Sequence, residues 1–335
     1  MLGDNNHTQM CRKEVMRHTN KKLLLIVITL WLSSTANLQA QDQPGRVQPE
    51  LLKAVVKIEL PPNDKGFTPT GTGFLVSREA AIRGASTRKT FLVTNKHVLG
   101  DWNAADGDIV SYNDWINVYF YRTTATSGLY YKPLKIFLRD KDGKAIHKVR
   151  IHGNPTIDIA IIALDEELSP SNNIDLFSFD VSYLLPFDKI TTWFTGLGDQ
   201  VFAMGYPLGI TSLKNNYPIA KSGYIASLPG EEFVVNVPVV NRKNERVSAR
   251  IEGKILAIDG LIVGGNSGGP VVLPIETKVR RDPKTKQLQF ATEAIKNFVI
   301  GIVSGVLEPS GVSIAYSSDY VRDLIELYVA DKNAK

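Results

Sequence analysis

Apolar and polar residues alternate with a period of two along most of the chain beyond residue 53, the pattern of strands with one buried face. In Ala54-Val55-Val56-Lys57-Ile58-Glu59-Leu60, for example, Val56, Ile58 and Leu60 alternate with Lys57 and Glu59. The same reading predicts strands over residues 70–76, 90–94, 115–121, 132–139, 148–151 and 158–164, with Asp142-Gly143 as a hairpin turn between 132–139 and 148–151. From 165 to 197 the pattern weakens, through Ser169-Pro170-Ser171-Asn172-Asn173, which predicts a crossover. It resumes at 201–207 and continues through 221–228, 233–240, 250–256 and 298–306. The end changes period: Val321, Leu324, Ile325 and Tyr328 fall at helical spacing, and Ser317 or Ser318 can cap that helix.

Residues 1–40 stand apart. Lys21-Lys22 precede a ten-residue apolar run, 23–32, and small or polar residues follow up to Ala40, the layout of a signal peptide cleaved after Ala40 or Ala36. The run is shorter than the ~20 apolar residues of a membrane span, so an anchor formed by residues 23–32 is the less favoured alternative. Met16-Arg17-His18 opens a conventional signal and makes Met16 a candidate start, and residues 41–50 read as a flexible lead-in. Five of the 39 basic residues and two of the 34 acidic ones precede residue 41, which leaves a net charge of +2 beyond it. That balance excludes the clustered basic surface of a nucleic-acid binder. Cys11, the one cysteine, also precedes the apolar run. An exported chain without disulfides suits a bacterial periplasm or secretion from a bacterium.

The chemistry centres on Gly264-Gly265-Asn266-Ser267-Gly268-Gly269-Pro270, a serine on a glycine turn between the apolar runs 261–263 and 271–273. A serine hydroxyl becomes a nucleophile when a base takes its proton, and the resulting oxyanion needs backbone N–H donors. Read alone, the motif could also be a glycine-rich hairpin. The strand 90–94 leads to a histidine, His97, and Asp158 stands in the apolar run Ile157-Asp158-Ile159-Ala160-Ile161-Ile162, where an unpaired carboxylate would be costly. The order His97, Asp158, Ser267 distinguishes this arrangement from hydrolases with other triad orders. Among competitors, His7 and His18 precede the mature chain, His147 and His152 lie in a polar hairpin, and Asp165 is an alternative acid just past the apolar run. Asp140-Lys141-Asp142-Gly143 has the start of a calcium loop, but Lys144 stands where a ligand belongs. With no histidine and carboxylate cluster at ligand spacing, no metal or organic cofactor is expected.

Together Gly71-Thr72-Gly73-Phe74-Leu75-Val76, Thr94-Asn95-Lys96-His97-Val98, Asp158-Ile159-Ala160 and Gly265-Asn266-Ser267-Gly268-Gly269-Pro270 resemble the trypsin-like (chymotrypsin-fold) serine peptidases, most of all their bacterial HtrA-like branch, over about residues 51–330. The resemblance implies an all-β fold, with two six-stranded antiparallel β-barrels of the chymotrypsin type and a C-terminal helix packed on the second. The N-terminal barrel would occupy 51–165, the crossover 166–198, and the second barrel with its helix 199–330. The first set holds seven candidate strands, so a short one would lie outside the barrel. With the chain ending at Lys335, no PDZ domain is expected to follow.

By the same resemblance Ser267 is the nucleophile, His97 the general base and then acid, and Asp158 the group that orients the imidazole. The oxyanion donors would be the N–H groups of Gly265 and Ser267. Asn266 replaces an aspartate that pairs with a new N-terminus in digestive relatives, so activation by N-terminal trimming is not expected. The pocket floor falls on Leu261, and Ser304, Gly305 and Val306 would form the edge that binds substrate backbone. An apolar floor offers no partner to a cationic side chain. The expected function is an exported serine endopeptidase that acts through an acyl-enzyme on proteins or peptides, cutting after small or medium aliphatic residues. A catalytically silent binding or chaperone module is the alternative, and ester hydrolysis a third possibility. No nucleic-acid partner is expected, membrane contact would come only through an uncleaved signal, and the oligomeric state stays open.

Overall fold

The computed structural model describes residues 45–334 apart from 64–65, 67, 83–84, 103, 106–108, 110, 122–132, 147, 165–176, 194, 213–215, 241–244, 261, 276–278, 282–284, 286, 291–296 and 308–309. Residues 1–44 lie outside the described residues, and so do the signal, anchor and start-site expectations.

Alternation in the first half builds an antiparallel sheet of β1 (Val55–Glu59), β2 (Thr70–Ile82), β3 (Ala85–Thr94), β6 (Trp115–Tyr119), β7 (Leu134–Phe137), β8 (Val149–Ile151) and β9 (Ala160–Ala163). Between β3 and β6, β4 (Gly100–Asp101) and β5 (Ser111–Tyr112) pair with each other. The sheet order is β7-β6-β1-β2-β3-β9-β8, and β10 (Phe179–Asp180) joins β2 in parallel. This corrects the expectation of a closed six-stranded first barrel: the sheet has eight strands and is an open half-barrel. Among the described residues its edge strands come together only beside the Asp140–Lys144 turn, where an isolated bridge joins Arg139 and Ala145 and Ile146 N donates to Leu138 O at 2.9 Å. The turn forms as predicted. Backbone bonds close it, Asp140 N donating to Lys144 O (2.8 Å) and Gly143 N to Asp140 O (3.1 Å), and Asp140 Oδ1 also accepts from the amides of Asp142 (2.9 Å) and Lys144 (3.0 Å); among the described residues no ladder joins β7 and β8.

The second half closes into a six-stranded barrel ordered β11-β12-β15-β20-β19-β16. Its strands are β11 (Gln200–Gly205), β12 (Ile219–Ile225), β15 (Ile255–Asp259), β16 (Pro270–Val272), β19 (Val299–Leu307) and β20 (Val312–Ser317). Two strand assignments change. Segment 233–240 is no barrel strand: β13 (Phe233–Val240) pairs along its length with β14 (Arg246–Gly253) in a separate hairpin. Segment 250–256 spans two strands, because Gly253 takes φ +142°, ending β14 before β15 begins. β20, which the sequence reading passed over, fills the sixth place. A last ribbon pairs β17 (Val279–Arg281) with β18 (Leu288–Phe290).

Strands such as β9 and β16 are apolar on both faces, because both faces are buried. Val56, Ile58, Leu75, Leu92, Ile116 and Ile162 fill the first sheet's hollow. Val201, Ala203, Ile225, Leu256, Ile258 and Ile300 fill the barrel. The alternate residues Val55, Phe74, Val76, Phe91, Val93 and Ile161 pack with Met204, Val272, Val299 and Ile302 in a third core that joins the two halves. The C-terminal helix, Asp319–Ala334, adds its predicted stripe of Val321, Leu324, Ile325 and Tyr328 to this joining core, so it lies against β2, β8 and β9 as well as β20. Ser317 is the capping serine, its Oγ accepting from the Asp319 amide at 3.1 Å. The Ser318 hydroxyl donates instead to the Leu185 carbonyl at 2.7 Å.

Candidate active site

Residues on or beside β3, β9 and β19 meet the turn before β16. After β3, Asn95 starts a one-turn helix, Lys96–Leu99, that carries His97. Asp158 lies just before β9, fully buried between Ile157 and Ile159, which explains an acid in an apolar run: four polar contacts hold it. Asp158 Oδ1 accepts from the His97 amide (3.1 Å), and Oδ2 accepts from His97 Nδ1 (2.6 Å) and the Ser304 hydroxyl (2.9 Å). Its backbone carbonyl accepts from Asn95 Nδ2 at 2.6 Å. With Nδ1–H donated to the carboxylate, the neutral ring keeps its lone pair on Nε2. Burial, the largest influence, pulls the His97 pKa down, but the charge of Asp158 and its hydrogen bond outweigh it and hold the value above 6.5. The Trp102 ring stacks on the imidazole at 6.5 Å.

Ser267 donates its hydroxyl to the Ser304 carbonyl at 3.2 Å and not to His97. Ser304 therefore touches both ends: its carbonyl receives Ser267 and its hydroxyl reaches the carboxylate that holds His97. A bulge between Val303 and Gly305 frees Ser304 from the β19–β20 ladder for this role.

The turn that carries Ser267 depends on glycine at two places. Gly265 has φ +95°, and a Cβ there would stand 2.3 Å from the Tyr206 carbonyl oxygen. Gly268 has φ +87°, with the Thr72 carbonyl oxygen 2.1 Å from such a Cβ. Four successive carbonyls of the turn are tied down. Gly264 O accepts from Leu208 N (2.8 Å), Gly265 O from Thr72 Oγ1 (2.6 Å), Asn266 O from Gly269 N (2.9 Å) and Ser267 O from Thr72 N (2.9 Å). The amides of Gly265 and Ser267 have no internal acceptor among the described residues, which leaves two donors available to an anionic oxygen. Asn266, buried, donates Nδ2 to the Val263 carbonyl at 3.1 Å.

Of the remaining expected site residues, Gly305 has open space where a Cβ would stand and Val306 is half-buried, pairing with Ser313. Leu261, the expected pocket floor, lies outside the described residues, as do His7, His18, His147 and Asp165. His152 packs its ring edge-on to Tyr320 at 4.8 Å, with its pKa lowered by burial and by the Lys96 charge. Among the described residues no three His, Cys, Asp or Glu side chains gather as a metal would require.

The sequence reading missed the residues that hold this site. Lys96 is fully buried and donates to the carbonyls of Asn154 (3.1 Å) and Pro155 (3.5 Å), while Trp102 Nε1 donates to Pro155 O at 3.1 Å. Thr72 and Tyr206 hold the turn from the other side. One signal was available: Thr72 is a polar residue between two glycines, directly before the apolar run Phe74-Leu75-Val76.

A half-barrel and a closed barrel joined by a common core, with a C-terminal helix packed on that core, make the chymotrypsin-like fold. The chain belongs to the trypsin-like peptidase family, whose domain profile matches residues 71–279. Among solved structures it is similar to the active form of the Rv3671c protease from M. tuberculosis (17% identity, 83% of each chain covered, TM-score 0.43). It is also similar to the serine endoprotease from Yersinia pestis, at 17% identity, with 84% of this chain and 65% of that one covered and a TM-score of 0.41. No curated protein matches the chain.

Proposed function

We propose that the chain is a serine endopeptidase in which Ser267 attacks the peptide carbonyl, His97 takes and returns the proton, and Asp158 holds the imidazole. The observation that carries this reading is the continuous path from Ser267 through Ser304 to Asp158 and His97, next to two unpartnered amides. The reaction starts when the Ser267 hydroxyl turns from the Ser304 carbonyl to His97 Nε2. Asp158, already carrying three side-chain acceptor bonds, stabilises the imidazolium without moving. The oxyanion of the tetrahedral intermediate lies on the Gly265 and Ser267 amides. Collapse releases the amine, protonated by His97, and leaves an acyl-Ser267 that water hydrolyses by the same steps.

Substrates are proteins or peptides, in line with the family. Their backbone lies along residues 304–306, and the preference before the cut is for small or medium aliphatic side chains, on the strength of Leu261 and Val306. Residues 21–40 support export to a bacterial periplasm or beyond. An active-site-directed fluorophosphonate tests the core of the reading: it labels the wild type and not Ser267→Ala. No labelling of the wild type would instead favour a silent binding module. Cleavage of a peptide library after lysine or arginine would overturn the specificity, and an unprocessed N-terminus in cytoplasmic fractions would overturn export.

A further inference from the structure

We propose that Thr72 is a positioning residue that holds the two oxyanion amides in their donating orientation before substrate arrives, so that the first sheet sets the catalytic geometry of the second. The proposal rests on the peptidase reading above. Thr72 lies on β2 in the first sheet, opposite Lys57 of β1, whereas the serine turn belongs to the closed barrel. Although fully buried, it carries four hydrogen bonds. The hydroxyl donates to Gly265 O at 2.6 Å and accepts from Tyr206 N at 3.0 Å. The backbone N–H donates to Ser267 O at 2.9 Å, and the carbonyl accepts from Thr94 Oγ1 at 2.8 Å.

What makes the side chain matter is the peptide it grips. The two donor amides belong to the Gly264–Gly265 and Asn266–Ser267 peptides, and the Gly265–Asn266 peptide lies between them. Thr72 Oγ1 holds the carbonyl of that middle peptide. Gly265, with no Cβ, offers little steric resistance to rotation of the peptides beside it. If the middle carbonyl swings, the amides on either side turn with it and cease to converge. The hydroxyl is itself constrained. Its own donor bond is spent on Gly265 and its acceptor site on Tyr206, and the Thr72 methyl stands 3.2 Å from where a Cβ on Gly269 would be.

Thr72→Val keeps the shape and removes the hydroxyl; Thr72→Ser keeps the hydroxyl. With a peptide substrate, Thr72→Val should lower kcat roughly 10- to 100-fold, somewhat less than the loss of one oxyanion donor, with KM within about threefold. Affinity for a peptidyl boronic acid should fall in parallel with kcat/KM, and Thr72→Ser should recover most of both. Amide hydrogen exchange should quicken across residues 263–270 in Thr72→Val and not in Thr72→Ser. Equal losses in both variants that follow the fall in Tm, or an unchanged kcat with unchanged exchange in Thr72→Val, would overturn the proposal. If Thr72→Val does not fold, Thr72→Ala against Thr72→Ser makes the same comparison. A wild type that neither cleaves peptides nor takes a fluorophosphonate would sink the peptidase reading instead, and the exchange measurement would still decide what Thr72 does.

Discussion

Replacing Asp158 with asparagine removes one charge and almost no volume, and the surroundings allow the new amide no comfortable orientation. Oδ1 faces the His97 amide, and Oδ2 faces His97 Nδ1 and the Ser304 hydroxyl. With its NH2 at the first position, the asparagine sets donor against donor. At the second, it forces Nδ1 to accept, so the proton moves to Nε2 and the ring can no longer take one from Ser267. The imidazolium also loses its counter-charge. A tautomer fault of this kind costs about 10⁴ in kcat, or roughly 5.4 kcal/mol at 1.36 kcal/mol per tenfold. Stability should change less, because a neutral buried group is cheaper to desolvate than the carboxylate it replaces. The pH profile gives a second readout. His97 must be neutral to act as base, and its pKa is raised by Asp158 against the pull of burial, so the acid limb of wild-type kcat/KM should have its midpoint above 6.5. In Asp158→Asn burial alone remains and the midpoint should fall below 6.5. The raised value also stabilises the fold, fully below about pH 6.5 and less as the pH climbs through the folded pKa. The wild type's margin over the variant should therefore shrink in alkaline denaturation series. A kcat within tenfold of wild type, or an acid limb that stays in place, would refute the reasoning.

Ser267→Ala should abolish fluorophosphonate labelling and leave urea unfolding nearly unchanged, since the lost hydroxyl serves only the Ser304 carbonyl. Gly268→Ala should destabilise by several kcal/mol, because the added methyl meets backbone oxygen at φ +87°; chemical denaturation reads it. Lys96→Met should raise the His152 pKa towards its ordinary 6.5 by removing a charge that lowers it, visible as a shifted histidine titration by NMR. Leu324→Ala should cost about 2–5 kcal/mol of global stability, a buried leucine lost from the joining core.

Strands were legible where one local rule decided them. β1 and β13 appear in the sequence almost to the residue, since alternation is a property of the strand itself. Partnership was not. Nothing in Phe233–Val240 says that its ladder runs to Arg246–Gly253 rather than into a barrel, because the hydrogen bonds are made by backbone and the side chains alternate either way. The open first sheet shows the same limit: the Asp142-Gly143 turn was readable, but its hydrogen bonds are made within residues 138–146 and say nothing of whether β7 and β8 go on to pair.

The site shows the complementary case. His97, Asp158 and Ser267 could be picked out because each breaks its local context: a polar group in an apolar run or on a glycine turn has to be explained by a partner. Thr72, Asn95 and Lys96 break their contexts as well, yet the sequence reading did not single them out, because their partners are backbone carbonyls and amides, which every residue owns. Side-chain chemistry is written in residue identities, whereas the carbonyl a hydroxyl will hold is fixed only when two sheets are brought together. The groups proposed to perform the reaction are therefore visible in the sequence, and those proposed to aim them become visible only in the fold. By that logic, a substitution at Thr72 or Lys96 should leave the sequence looking like an intact peptidase while the enzyme loses turnover.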